Sequence, residues 1–170
     1  MKKIAILILA LMSFVSAQTE KPRVVLVTSD TGVYSFKKKV EPFIADALKA
    51  LDYRVFIVER TISNQSNYND SNTSQVKQLL SLTKEFEPNF ILISNFSQKN
   101  NRTTSVLGVT TYFHILTGKF FVTKPDGELL KNWEFDAEGT AGTAVSAQEL
   151  SLKNLVNRAV PIFQEAVTPK

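Results

Sequence analysis

Arg23-Val24-Val25-Leu26-Val27-Thr28, followed by Ser29-Asp30-Thr31-Gly32, decides the fold. The first six residues are short, β-branched and almost continuously apolar, which predicts a strand buried on both faces. Ser-Asp-Thr-Gly ends it with turn-forming chemistry. The period then changes. Phe36, Val40, Phe43, Ile44, Ala47, Leu48 and Leu51 recur at steps of three and four, the stripe of an amphipathic helix. Ser35 is its expected N-cap. Pro42 falls inside the stripe and predicts that the helix starts or kinks there.

The same reading extends along the chain. Residues 53–59 predict a second strand, and residues 63–74, almost wholly Asn, Ser, Gln, Tyr, Asp and Thr, a long loop. Val76, Leu79, Leu80, Leu82 and Phe86 mark a second amphipathic helix, stopped before Pro88. Residues 90–96 predict a third strand, and the polar residues 98–104 another loop. Residues 106–123 are rich in β-branched and aromatic side chains, with Gly108 and Gly118 inside them. Lys124-Pro125-Asp126-Gly127 is a turn, and residues 128–135 its return strand. The small-residue stretch 138–144 leads into a last helix over 147–167, with Leu150, Leu152, Leu155, Val156, Ala159, Val160 and Phe163 as its apolar positions and Pro161 as a kink point. The order β-α-β-α-β-β-β-α predicts an α/β (α+β) fold, a mixed sheet with helices packed on it. No repeat or second domain is visible.

Met1-Lys2-Lys3, an apolar run from Ile4 through Val15, and the small-residue exit Val15-Ser16-Ala17 have the layout of a secretory signal peptide. Cleavage is expected after Ala17, leaving residues 18–170 as one domain. The run is short for a bilayer span, which needs about 20 apolar residues, so the mature protein is expected to be periplasmic or secreted, without a stable membrane anchor. The chain has no cysteine. A lipid-bearing cysteine and disulfides are thereby absent, and a bacterial envelope suits such a domain better than a eukaryotic secretory pathway. Five Asn-x-Ser/Thr triplets begin at Asn64, Asn69, Asn72, Asn95 and Asn101; Asn- and Ser-rich loops generate such triplets by chance. Two of the four net positive charges belong to Lys2 and Lys3. The basic balance of the mature part is too small to imply a nucleic-acid partner.

The residues 45–60, with Ala45, Leu48, Leu51 and then Tyr53-Arg54-Val55-Phe56-Ile57-Val58-Glu59-Arg60, carry a resemblance together with Glu87–Ser94, the hairpin from Lys119 to Leu130 with its Asp126-Gly127-Glu128, and the Gly- and Ala-rich lead from Gly139 to Ala159. The chain resembles the periplasmic α/β domain shared by the curli-secretion lipoprotein CsgG, the N-terminal domain of TolB and the penicillin-binding-protein activator LpoB. Asn95 stands where that domain has a glycine. The resemblance implies the fold and an envelope role. It does not fix an activity, because its members build pores, activate enzymes or serve in larger machines.

No catalytic site is expected. Asp30-Thr31-Gly32 is the triplet of aspartic proteases, which need two such aspartates, but here a helix stripe follows it and no second triplet exists. The loop lies at the carboxyl end of a strand, where α/β sheets place ligands. Thr28, Ser29, Asp30 and Thr31 are therefore the alternative site, for a small polar ligand or a hydrolase. His114 is the only histidine. No metal site or cofactor is expected, and a strand histidine is its simpler reading. Asp126/Glu128 and Asp136/Glu138 are carboxylate pairs at strand spacing that a turn and a strand end also require. The favoured site is apolar. On a strand, Tyr112, His114, Leu116, Phe120 and Val122 share one face, and Phe113, Ile115 and Phe121 the other. If helices cover one face only, Tyr112, Phe113, Ile115, Phe120 and Phe121 are the residues expected to meet an envelope protein partner or a second copy. If both faces are covered, or a bulge at Gly118 reshuffles them, no such patch is left. The function expected is that of a non-enzymatic interaction or assembly module.

Overall fold

Strand β1 (Arg23–Asp30) lies between two parallel neighbours, β2 (Arg54–Val58) and the first half of β3 (Phe90–Val106). Strands β4 (Val109–Thr123) and β5 (Leu129–Ala141) add on antiparallel, giving the order β2-β1-β3-β4-β5. The computed structural model describes residues 20–30, 37–58 and 74–168. The expected signal segment, Thr31, Ser35 and the polar loop after residue 63 fall outside these, apart from Ser74.

The continuous apolar run of β1 is explained by a helix layer on each face. Val24 and Leu26 pack with α1 (Lys37–Ala50) and α3 (Ala144–Val167). Val25 and Val27 pack with Ile91, Ile93, Phe121 and the helix α2 (Ser74–Thr83), which runs on into a 3-10 turn at Lys84–Phe86. All four β1 side chains are fully buried. Each such aliphatic side chain contributes about 1.5–3 kcal/mol relative to exposure. The mixed sheet with helices packed on it is the fold that the sequence predicts, and of the two alternatives left open for its faces the structure has both covered at β1.

Helix α1 holds Pro42 in its interior rather than starting there. Pro42 sits on the exposed side, where the carbonyl it frees, that of Lys38, is open to water. Helix α3 begins earlier than its apolar pattern, because Thr143 caps it: its Oγ1 accepts a hydrogen bond from the Ser146 amide at 3.2 Å. Leu150, counted among the apolar positions, is 39% exposed; Ala147 and Ser151 face the sheet in its place.

The largest departure is in β3. Residues 98–104, read as a loop, continue the strand, so that β3 and β4 form one long hairpin paired from Ile91↔Thr123 to Val106↔Val109. The register slips once, between Gln98 and Asn100, which makes Lys99 a bulge. Gly118 keeps its partners on both sides, so the alternative of a bulge there that reshuffles the faces is not found. Strand β5 likewise runs past residue 135, to Ala141, taking in part of the small-residue stretch. Its pairing stops at Tyr112↔Ala141. Beyond that point β3 and β4 continue as a two-stranded ribbon, closed by a tight turn with Leu107 at φ 51° and Gly108 at φ 81°.

Candidate functional site

Thr28, the first of the candidate loop residues, is a core residue. It is fully buried, and its Oγ1 donates to Ser94 Oγ at 3.1 Å while Ser94 in turn donates to the Val27 carbonyl at 3.5 Å. The two hydroxyls satisfy each other and the strand, as buried polar groups must. Ser29 and Asp30 extend β1, paired with Asn95 and Phe96. Their side chains, like the whole of Thr31, lie outside the described residues. The next described element is α1, so Asp30 stands at a β-to-α connection.

His114 points under α3. Its Nδ1 lies 2.7 Å from Ser151 Oγ, and Ser151 donates its proton to the Gln148 carbonyl at 2.8 Å. Ser151 therefore accepts, and the imidazole carries its proton on Nδ1. A nucleophilic serine needs the opposite arrangement, with its hydroxyl given to the base; here it is fully buried and committed to the helix backbone. Burial, with a smaller effect of the nearby Lys39 charge, holds His114 below the usual imidazole range. The folded state thus binds this proton less readily than the unfolded chain. Its stability is whole above the ordinary value of 6.5 and declines as pH falls through the window down to the depressed folded value. We expect the midpoint of urea unfolding to drop between about pH 8 and pH 5, and His114→Asn, which keeps a donor near Nδ1, to lose that share of the drop. An identical pH profile in both proteins would remove His114 from the account.

The carboxylate pairs make contacts within the sheet and its turn. Asp126 accepts from the Glu128 amide at 2.9 Å, and Glu128 meets Lys124 at 2.6 Å, both within the β4–β5 turn. Asp136 takes Lys99 at 2.5 Å and Thr117 Oγ1 at 2.6 Å. These two donors, Lys99 foremost, hold its carboxyl below the usual range. Among the described residues no group of three or more His, Asp and Glu side chains is placed to hold a metal ion.

The apolar candidates divide. Phe120 is fully buried between the sheet and α3, edge-on to Phe96 and stacked on Trp133 and Phe135. Phe121 is 9% exposed and packs with the α2 layer on the opposite face. Both are core, because the helices cover both faces at this level of β4. Tyr112, Phe113 and Ile115 are different. They lie nearer the ribbon, are only partly buried, and belong to neither core cluster.

Phe113 and Ile115 share an open face of β3, β4 and β5 with a cross-strand ladder of charges: Lys119–Glu134 at 3.0 Å, Lys99–Asp136, and Arg102–Glu138 at 4.0 Å. The Arg102 guanidinium also lies over the Phe113 ring at 4.6 Å. Arg102 was not among the candidates, since a polar stretch without alternation reads as loop. The available signal was Val106-Leu107-Gly108-Val109, a two-residue turn between β-branched residues, with the β-formers Thr103 and Thr104 opposite Tyr112 and Thr111.

No protein-family model matches the chain, and no curated protein matches it in sequence. Its fold is that of a minor lipoprotein from Acinetobacter baumannii, at a TM-score of 0.52 and 11% identity over 88% of this chain and 98% of that one. Lipoprotein GNA1162 from Neisseria meningitidis is more distantly similar, at a TM-score of 0.43 and 12% identity over 85% and 99% of the two chains. The hypothetical protein CT253 from Chlamydia trachomatis follows at 0.40 and 12% over 86% and 94%.

Proposed function

We propose that this chain is an exported, non-enzymatic protein of the bacterial envelope that works by contact, as an interaction or assembly accessory, and that the open sheet face around Phe113 meets its partner. The observation that carries the reading is the stacked Arg102–Phe113 pair on that face, flanked by Ile115 and a ladder of paired charges. Aromatic and arginine side chains dominate the energetic centres of protein interfaces, and polar groups form their rims. The pair is already ordered by its cross-strand register, so docking it costs little side-chain entropy.

Export rests on the signal-like residues 1–17. The envelope reading draws on them and on the fold shared with a protein described as a lipoprotein. The finer assignment, to the domain type of CsgG, TolB and LpoB, rests on the sequence resemblance. The partner is a larger envelope protein or a second copy of this chain. In-cell crosslinking of the tagged protein, followed by mass spectrometry, is expected to capture one dominant partner or a ladder of self-links. Asp30→Ala should leave the links unchanged and Phe113→Ala should weaken them. A clean monomer, or links lost with Asp30→Ala and kept with Phe113→Ala, would overturn the proposal.

A further inference from the structure

We propose that Asn154 and Arg158 of α3 close the open edge of β5 to a strand of a second copy of this chain. The sheet has two edges. One, β2, is five residues long, and a short edge offers little to pair with. The other, β5, runs for 13 residues and pairs with β4 alone among the described strands. A strand in that position turns every second carbonyl and amide to its open side, where another strand can add. The usual protections are missing from it. Residues 126–160 hold no proline, and the pairing with β4 is unbroken from Lys131 to Ala141. The carboxylates that would repel a like strand each have a cation already: Glu134 has Lys119, Asp136 has Lys99 and Glu138 has Arg102.

The protection comes from the helix instead. Asn154 Nδ2 donates to the Glu138 carbonyl and Arg158 Nη1 to the Asp136 carbonyl, both at 2.8 Å. Asp136 and Glu138 stand two apart, so their carbonyls turn to the same side of the strand. A helix side chain supplies to each the donor that an added strand's amide would otherwise supply. The spacing fits. Helix α3 runs antiparallel to β5, with Lys131–Glu165 at 2.8 Å further along the same course. Four helix residues rise about 6 Å, against about 6.7 Å for two strand residues, so donors at i and i+4 meet alternate carbonyls. The Arg158 guanidinium is held in place over the Phe135 ring at 4.2 Å. One turn away on either side the same stripe carries Leu150 and Ile162, which have no donor to give, so the cover spans the middle of the edge. Docking of α3 does not account for the pair. Leu152, Leu155, Val156, Ala159 and Phe163 secure that, whereas Asn154 is half-buried and Arg158 exposed. A second strand would have to displace both donors before its own amides could reach these carbonyls.

The test compares the double variant Asn154→Ala, Arg158→Ala with Lys153→Ala, Asn157→Ala, an exposed pair at the same spacing on α3. Every chain, the parent included, also carries Phe113→Ala, so that association through the sheet face cannot contribute and the result is independent of the function proposed above. In sedimentation velocity the first double variant is expected to bind itself about tenfold tighter than the parent or more, the gain from two carbonyls freed to accept bonds from a second copy. The second should sediment as the parent does. A photo-crosslinking residue at Asn132, exposed on β5, should then link to residues 129–141 of the other copy in the first double variant only. Arg158→Met, which keeps an aliphatic stem against Phe135 and loses only the donors, gives the same reading where the double variant does not fold. Parent-like sedimentation of both Asn154→Ala, Arg158→Ala and Arg158→Met, equal association of the two double variants, or links that fall outside residues 129–141 would overturn the proposal.

Discussion

Gly139→Ala is expected to cost about 3 kcal/mol or more of stability, enough to leave a marginal domain largely unfolded. The glycine lies where α3 crosses β5. A Cβ built on it would stand 1.9 Å from the Ala147 carbonyl oxygen and 2.4 Å from the Ser151 amide nitrogen. Both are helix backbone atoms, so no side chain can rotate away, and α3 must lift off the sheet. That movement would uncover Leu152, Leu155 and Phe163, all buried to within 1%, and break the His114–Ser151 contact. Gly142, three residues on, has nothing within 4 Å of such a Cβ and no positive φ. Gly142→Ala should therefore stay within about 0.5 kcal/mol of wild type. Urea titration of the two variants is the check, and equal midpoints would refute the docking of α3 on β5.

Phe120→Ala is expected to cost about 3–5 kcal/mol, whereas Phe113→Ala should cost about 1 kcal/mol or less, as for a surface ring with one stacked cation. The two residues stand seven apart on one strand and read alike in the sequence. Phe120 fills the space between Phe96, Trp133 and Phe135, and its loss leaves a cavity that the three strands β3, β4 and β5 cannot close without shifting. Comparable losses at both positions would mean that Phe113 is core, and the interaction face would have to be sought elsewhere.

Much of the architecture was legible because burial writes itself into the pattern. Val24–Val27 carries no alternation, since a helix layer lies on each side, and Leu152, Leu155, Val156, Ala159 and Phe163 repeat as a helix that leans on a sheet must. What could not be read was governed by pairing rather than burial. The residues 98–105 are polar because both faces of the ribbon meet water there, so the strand is specified by its partner β4 and by the turn at Leu107-Gly108, not by any period of its own. The candidate site shows the same limit. Alternation assigned Phe120 and Phe121 to opposite faces correctly, but not how far along β4 the helices reach. That depends on α3 covering one face of β4 as far as His114 while the α2 layer on the other face packs with Phe121, a tertiary fact. Arg102 was hidden for the same reason, since its role depends on the cross-strand neighbour Phe113.

The central claim, that the open face around Phe113 is a contact surface, is tested most directly by placing a photo-crosslinking residue at Phe113 and, in a separate variant, at Lys153 on the exposed side of α3. Irradiation of cells should give a discrete adduct from position 113 and none from position 153. Adducts from position 153 alone, or from neither position, would contradict the account.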